Sequence, residues 1–366
     1  MENFSACFGD VVDPRRDNAR HDLHELLVIA LCAMLCGGED CTDMALFGQA
    51  KEDFLRRFLR LRHGIPSHDT FSRLFRDLDP ASFHAAFQSF MAQFSAGLSE
   101  VIAIDGKTLR RSFDHASAKS PLHLVSAWAS EQRLVLGQIA VDGKSNEITA
   151  VPKLLELLTL KGRIVTLDAM HCQRATAAAI SERGGDYALA LKGNQGTLFG
   201  DVRLFVEDAE TTPADTHTTT DGDHGRIETR RHSVITDIDW LKARHHWPGL
   251  AAIGKVVRTR ESRTKTSTET TYYLISDTWD AQTFARVIRA HWSIENSLHW
   301  VLDVTMREDA ARNRLDNGPE NIALLRKWAL NIAKTENSRG SMKGKLKRAG
   351  WDNTFLEALL VNFKPI

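Results

Sequence analysis

The sequence predicts an α/β protein: a mixed sheet flanked by helices, with a helical N-terminal module and a β-rich insertion. Three observations carry this. Residues 1–95 hold helix-start signals and apolar helical runs without a strand pattern. From Glu100, short apolar runs of strand length alternate with helical stretches, as in layered α/β folds. Residues 205–277 then become Thr-rich and alternating, the texture of paired strands.

In order, residues 22–36 form an apolar helix with Asp22 as N-cap, ended by Gly37 and Gly38. A second helix is expected over Thr42–Arg60, a third after the cap Ser67, and a fourth from Asp79-Pro80 to about Phe94. Strands follow at 101–105, 123–129 and 134–141, then a helix over Glu147–Leu158 with Pro152 placed in its first turn. A strand at 163–168, a helix at Ala175–Arg183 and a strand at 186–191 continue the layer. Asp208–Asp223 reads as a polar loop, and 224–235, 251–262 and 268–277 read as strands, with His224, Arg226, Glu228 and Arg230 on one face of the first. Arg286–Asp309 reads as one long amphipathic helix. Glu320–Lys334 is a further helix, a Lys/Arg-rich segment runs to Arg348, and Trp351–Phe363 closes the chain as a helix.

The expected division is therefore a helical module at 1–95, for DNA binding or dimerisation, and the first part of a core at 96–204. An insertion at 205–277, the completed core at 278–335 and a basic segment with a closing helix at 336–366 follow.

Hydrophobic content of 43% with 26% charged residues is that of an ordinary globular chain, which excludes a disordered one. Lys+Arg and Asp+Glu both number 47, so net charge carries no sign of a polyanion partner and local clusters must be read instead. The five cysteines (Cys7, Cys32, Cys36, Cys41, Cys172) show no paired framework, and none has a partner pair at zinc-finger spacing. With no signal peptide or bilayer-length apolar run, a cytoplasmic protein without a membrane partner is expected.

The chemistry is expected from three acids. The strands 101–105 and 163–168 both end in aspartate, Asp105 and Asp168, and chemistry collects at such strand ends. On an ideal helix Glu295 falls amid the apolar arc of Val287, Ile288, Trp292, Ile294, Leu298, Val301 and Leu302, where a carboxylate needs a cation, a shared proton or a metal. Three converging acids repel one another, and hard divalent cations such as Mg²⁺ relieve this. Two such ions about 3.5–4 Å apart can clamp a phosphoryl displacement. Asp303 lies about 80° round an ideal helix from Glu295, and Asp309 about 21 Å along it, so both are worse placed. Basic groups near the acids, in Lys107, Arg110 and Arg111 after Asp105 and in Lys192 with Asn194 after strand 186–191, suit a phosphate backbone. Each residue alone also admits a plain structural role: an N-cap or turn for either aspartate, an ion pair with His291 or His299 for Glu295, solvated surface for Lys192.

With AIDGKTLR (103–110), VTLDAMHCQ (165–173), ALKGNQ (190–195), HGRIETR (224–230) and RAHWSIENSLHWVLDVTMRED (289–309) in view, the chain resembles the H-repeat-associated insertion-sequence transposases of the DDE class. The resemblance runs over nearly the whole chain. It implies an RNase H-like core and a catalytic, metal-binding triad of Asp105, Asp168 and Glu295 holding two Mg²⁺ ions, for which Mn²⁺ can substitute. It also implies DNA cleavage and strand transfer at an element's ends. The partners would be the terminal inverted repeats and target DNA, bound by a homodimer at the nucleoid. The sequence departs from the superfamily's Tyr-x2-Arg-x3-Glu-x6-Lys pattern, with Ile288, His291 and Leu302 at the Tyr, Arg and Lys positions. Arg289, His291 or His299 are the candidates to replace the missing cations, and Arg226 offers a further DNA contact. Two other functions share this reading: a nuclease on the same fold that never joins strands, and a DNA-binding protein with an idle site.

Overall fold

The computed structural model describes residues 8–16, 19–94, 100–113, 120–141, 147–208, 211–223 and 226–361. The N-terminal helices start where short polar side chains can cap them. Asp22 accepts the Glu25 N–H at 3.1 Å and opens α1 (Leu23–Leu35), buried from Leu26 through Leu35. The helix expected over Thr42–Arg60 is instead split into α2 (Cys41–Ala50), capped by Asp40, and the single turn α3 (Glu52–Leu55). Lys51 leaves helical geometry between them at φ −118°, and the bend turns Phe54 and Leu55 into the core. Ser67 caps α4 (His68–Asp77), and Asp79 caps α5 (Pro80–Ala92), with Pro80 at the start where its missing N–H costs nothing.

Among the described residues, nine strands form one sheet in the order β3-β2-β1-β4-β5-β9-β8-β7-β6. β1 (Val101–Thr108), β2 (His123–Ala129) and β3 (Leu134–Val141) are an antiparallel meander. β4 (Ile164–Leu167) and β5 (Asp186–Leu191) run parallel to β1, joined by α7 (Arg174–Glu182), after α6 (Glu147–Glu156). This order and these directions make an RNase H-like sheet. Two expectations are corrected here. β1 does not end at Asp105 but pairs with β2 through Thr108, and Pro152 lies inside α6, past its first turn.

The insertion is continuous with the core. After α8 (Gly196–Glu207), β6 (Asp215–Asp223) pairs with β7 (Arg226–Ile235), so most of the expected polar loop is an edge strand. His224 lies outside the described residues. α9 (Asp239–His245) leads to β8 (Ala252–Ser262) and β9 (Thr266–Ile275), and β9 pairs antiparallel with β5 from Ala188↔Ile275 to Leu191↔Tyr272. The insertion strands thereby extend the core sheet.

α10 (Ala281–His291) crosses this sheet, and a glycine lets it come close. A Cβ on Gly254 of β8 would stand 2.4 Å from Phe284 Cζ, inside contact with a fully buried ring. Gly254→Ala is accordingly expected to destabilise by about 1–3 kcal/mol through overpacking, read as a lower urea midpoint at unchanged slope.

At the β3 end of the sheet, α11 (Gly318–Thr335) is buried along most of its length between β3 and the N-terminal helices. Asn331 Nδ2 donates to Val135 O (2.8 Å), and Asn321 Nδ2 to Phe75 O and Leu78 O (2.9 Å each). The N-terminal helices thus pack onto α11, and α5 also meets the sheet directly, where the Gln138 N–H donates to His84 Nε2 (3.2 Å). α12 (Met342–Trp351) and α13 (Asn353–Val361) close the described chain, and no described helix is long and apolar enough to cross a membrane.

Candidate active site

Strand register brings two of the acids together. Ile104 of β1 stands opposite Leu167 of β4, so Asp105 and Asp168 are the next residue on each of two adjacent parallel strands. Asp105 stays in the ladder opposite Ser126, whereas Asp168 leaves the sheet and begins a 3₁₀ turn at Ala169–His171. The loop after β5 braces that turn. Asn194 Nδ2 donates to Ala169 O (2.7 Å), and Gln195 Nε2 to Cys172 O (2.8 Å).

Glu295 arrives differently from expected. The single regular α-helix expected over Arg286–Asp309 is not what forms: after α10 the helical path continues irregularly to Thr305, with two π-helical turns at Glu295–His299 and Val301–Thr305. Each π turn takes in more backbone than an α turn, so residues change face relative to an ideal helix. Ile294, Leu298 and Leu302 remain fully buried, but Trp292 is 43% exposed and Glu295 is exposed too. Glu295 lines a cavity of about 550 Å³ with Asp168, Lys192 and Arg289. The histidines weighed as its partners are engaged elsewhere: His291 Nδ1 lies 3.0 Å from Thr166 Oγ1, and His299 Nδ1 lies 3.5 Å from Asp105 Oδ2.

The electrostatics link all three acids. Burial, with the nearby charges of Asp168 and Glu295, pushes the Asp105 carboxyl up to about 7, against the opposing hydrogen bond from Gly106. Asp168 Oδ1 is buried and takes no hydrogen bond from the described residues; His171 Nε2 is 3.8 Å away. An orphaned carboxylate oxygen and a crowded set of acids are the donor chemistry that a hard divalent cation satisfies. The fit rests on that chemistry, because among the described residues no three His, Cys, Asp or Glu side chains close round one point.

The predicted cations fall into two groups. Exposed are Arg111, Lys192 and Arg226, with Arg110 (82%) and Arg289 also exposed but paired, with Asp309 at 3.5 Å and Asp221 of β6 at 3.2 Å respectively. Arg226 and Arg289 share a groove of about 480 Å³ with Arg230, Arg258, Arg260 and Trp292. Three others do not offer a free charge. Lys107 is turned inward onto Asp303 (2.6 Å), Glu308 (2.7 Å) and Asp309 (3.5 Å), so its charge is engaged within the fold. Burial holds both His291 and His299 down to about 4, with Lys327 and Lys107 adding to the effect at His299. Both are neutral at pH 7, so neither replaces the missing Arg or Lys as a charge. Asn194 serves the Asp168 loop through its amide.

Several residues of this site escaped sequence reasoning. Thr166 and His171 lie in VTLDAMHCQ, but nothing in spacing separates a buried polar neighbour from a turn residue. Glu308, with a fully buried side chain, stands past the end of the apolar arc, where a helical reading puts it at the surface.

A family model described as "Transposase DDE domain" matches residues 96–332, and one described as "DDE_Tnp_1-associated" matches residues 5–91. "Putative transposase YncI" of Escherichia coli O157:H7 is 36% identical over 357 residues, covering 95% of this chain and 91% of that protein. "H repeat-associated putative transposase YhhI" of Escherichia coli (strain K12) is 36% identical over 350 residues, covering 93% and 92%. The "Uncharacterized protein in dhlA 3'region" of Xanthobacter autotrophicus is 48% identical over 285 residues, covering 76% and 96%. A solved structure of the piggyBac transposase synaptic complex with hairpin DNA aligns with 98% of this chain and 81% of its own, at 12% identity and a TM-score of 0.45.

Proposed function

The chain belongs to the DDE transposase family, and from that premise we propose that it cuts DNA at the ends of its own insertion sequence and joins the freed strand to target DNA. The observation that carries this reading is the pair Asp105 and Asp168 on adjacent parallel strands, with the charge of Glu295 bearing on Asp105.

In this reading Asp105, Asp168 and Glu295 would hold Mg²⁺. When bound, a pair of such ions supplies activation of the attacking oxygen and charge relief at the scissile phosphate. The chain's own groups do the rest. Neutral His299, beside Asp105 Oδ2, orients that carboxylate without competing for it as a cation. Asn194 and Gln195 fix the backbone after Asp168, which holds its side chain at the cavity mouth. Exposed Arg110, Arg111, Lys192 and Arg226 are the candidates for backbone contacts, with Arg289 available if it leaves Asp221. Both element ends must be handled in one event, so the active form is a dimer on DNA.

The test mixes the full chain with a labelled element end, target DNA and Mg²⁺. Nicks exposing a 3′-hydroxyl, followed by joined products, are expected; EDTA should remove both and Mn²⁺ restore them. Nicks that are never followed by joining would reduce the protein to a nuclease. Specific binding without nicking in either metal would overturn the reading.

A further inference from the structure

Lys107 and the carboxylates around it form a cluster that the proposed chemistry does not use. Asp105 and Lys107 are two apart on β1 and so point to the same side of the strand. Opposite them, His299 and Asp303 are four apart on the irregular helix. Asp105 meets His299 at 3.5 Å, and Lys107 meets Asp303 at 2.6 Å, so the two segments are laced by successive rungs. The turn beyond the helix adds Glu308 and Asp309.

The helix so held needs an external hold. Its two π turns are a rare geometry, and Arg307 follows with a left-handed φ of 56°, which a non-glycine residue adopts only when its surroundings enforce it. Glu308 supplies the enforcement. Its side chain is fully shielded, and it is charged in the field of Lys107, Lys327 and Arg326, the last two fully buried on α11. Sliding the segment by one residue would strand that carboxylate without its cation, a severe penalty in the interior.

We propose that Lys107 is a positioning residue: by clamping Asp303 and Glu308 to β1 it sets the π-helical segment in the register that brings Glu295 toward Asp105 and Asp168. The inference rests on the triad reading above. It assigns the lysine after Asp105 to the alignment of the acids, with no contact to DNA.

The chosen variant is Asp303→Asn, because Asp303 is partly exposed (30%) and the change leaves Glu308 paired with Lys107. Mn²⁺ alone is titrated into the full chain, and the Mn²⁺ midpoint for nicking an element end is read alongside. Asp303→Asn is expected to raise both midpoints about tenfold, the usual scale for groups that orient metal ligands, while metal-free DNA affinity stays unchanged. Lys107→Arg, which keeps the cation, should hold both midpoints closer to wild type than Lys107→Met. Wild-type midpoints in Asp303→Asn, with Asp105→Ala inactive in the same assay, would overturn the clamp and leave the triad standing. Nicking that survives Asp105→Ala would instead sink the triad and the clamp with it.

Discussion

Replacing Asp168 with alanine is expected to lower end cleavage by at least about a thousandfold, the scale of losing several kcal/mol of charge stabilisation at the phosphate. The same loss is expected for Asp105→Ala and Glu295→Ala, with DNA binding retained in all three. The grounds are local. Asp168 has an oxygen that no described donor satisfies, Asp105 is destabilised as an anion by burial and its acidic neighbours, and Glu295 lines the cavity that Asp168 also lines. Groups that act as a unit are not additive, so Asp105→Ala/Asp168→Ala should be no slower than either single variant. Single-turnover nicking of a labelled end, beside a mobility-shift titration of the same DNA, measures both quantities. A variant that cuts at the wild-type rate removes its residue from the triad.

The elements most legible in the sequence were those with one apolar face or a cap. β2, β3 and β5 occupy the residues expected because their apolar runs are bounded by turns, and α1, α4 and α5 start at the caps Asp22, Ser67 and Asp79. β6 was not legible. It is an exposed edge strand of Thr, Asp and His, and without a buried face the period of two leaves no trace in hydropathy. The apolar run of β1 stops at Asp105, which hides the true end of the strand, although β2 continues to pair with Gly106, Lys107 and Thr108. The geometry of Glu295 was hidden for a different reason. An angle of about 100° per residue presumes an α-helix, and nothing in the residue pattern announces two π turns. The same assumption hid the ion pairs of Lys107, whose partners lie roughly 200 positions further along the chain.

The other large effect is expected far from the acids. Trp328 on α11 is fully buried, and its ring stands within 4.8–5.6 Å, centre to centre, of Phe8, Phe83, Phe87 and Phe90. Those four rings come from the N-terminal segment and α5, so one indole fills the joint between the helical module and the helix that backs β3. Trp328→Ala should cost about 3–5 kcal/mol, because a rigid cluster of rings cannot collapse into the space and the cavity adds to the lost transfer energy. Neighbouring Asn331 and Lys327 keep their bonds to Val135 and Gln138, so the damage should fall on the docked module before the sheet. Urea unfolding followed by tryptophan-independent far-UV circular dichroism is expected to show an early loss of helix, with β-sheet signal retained to higher denaturant. Nicking per folded molecule should be unchanged at low temperature, since Trp328 is not among the residues lining the cavity beside Asp168 and Glu295. A shift below about 1 kcal/mol would mean that the ring cluster is loosely packed and that the module is held on the core by other contacts.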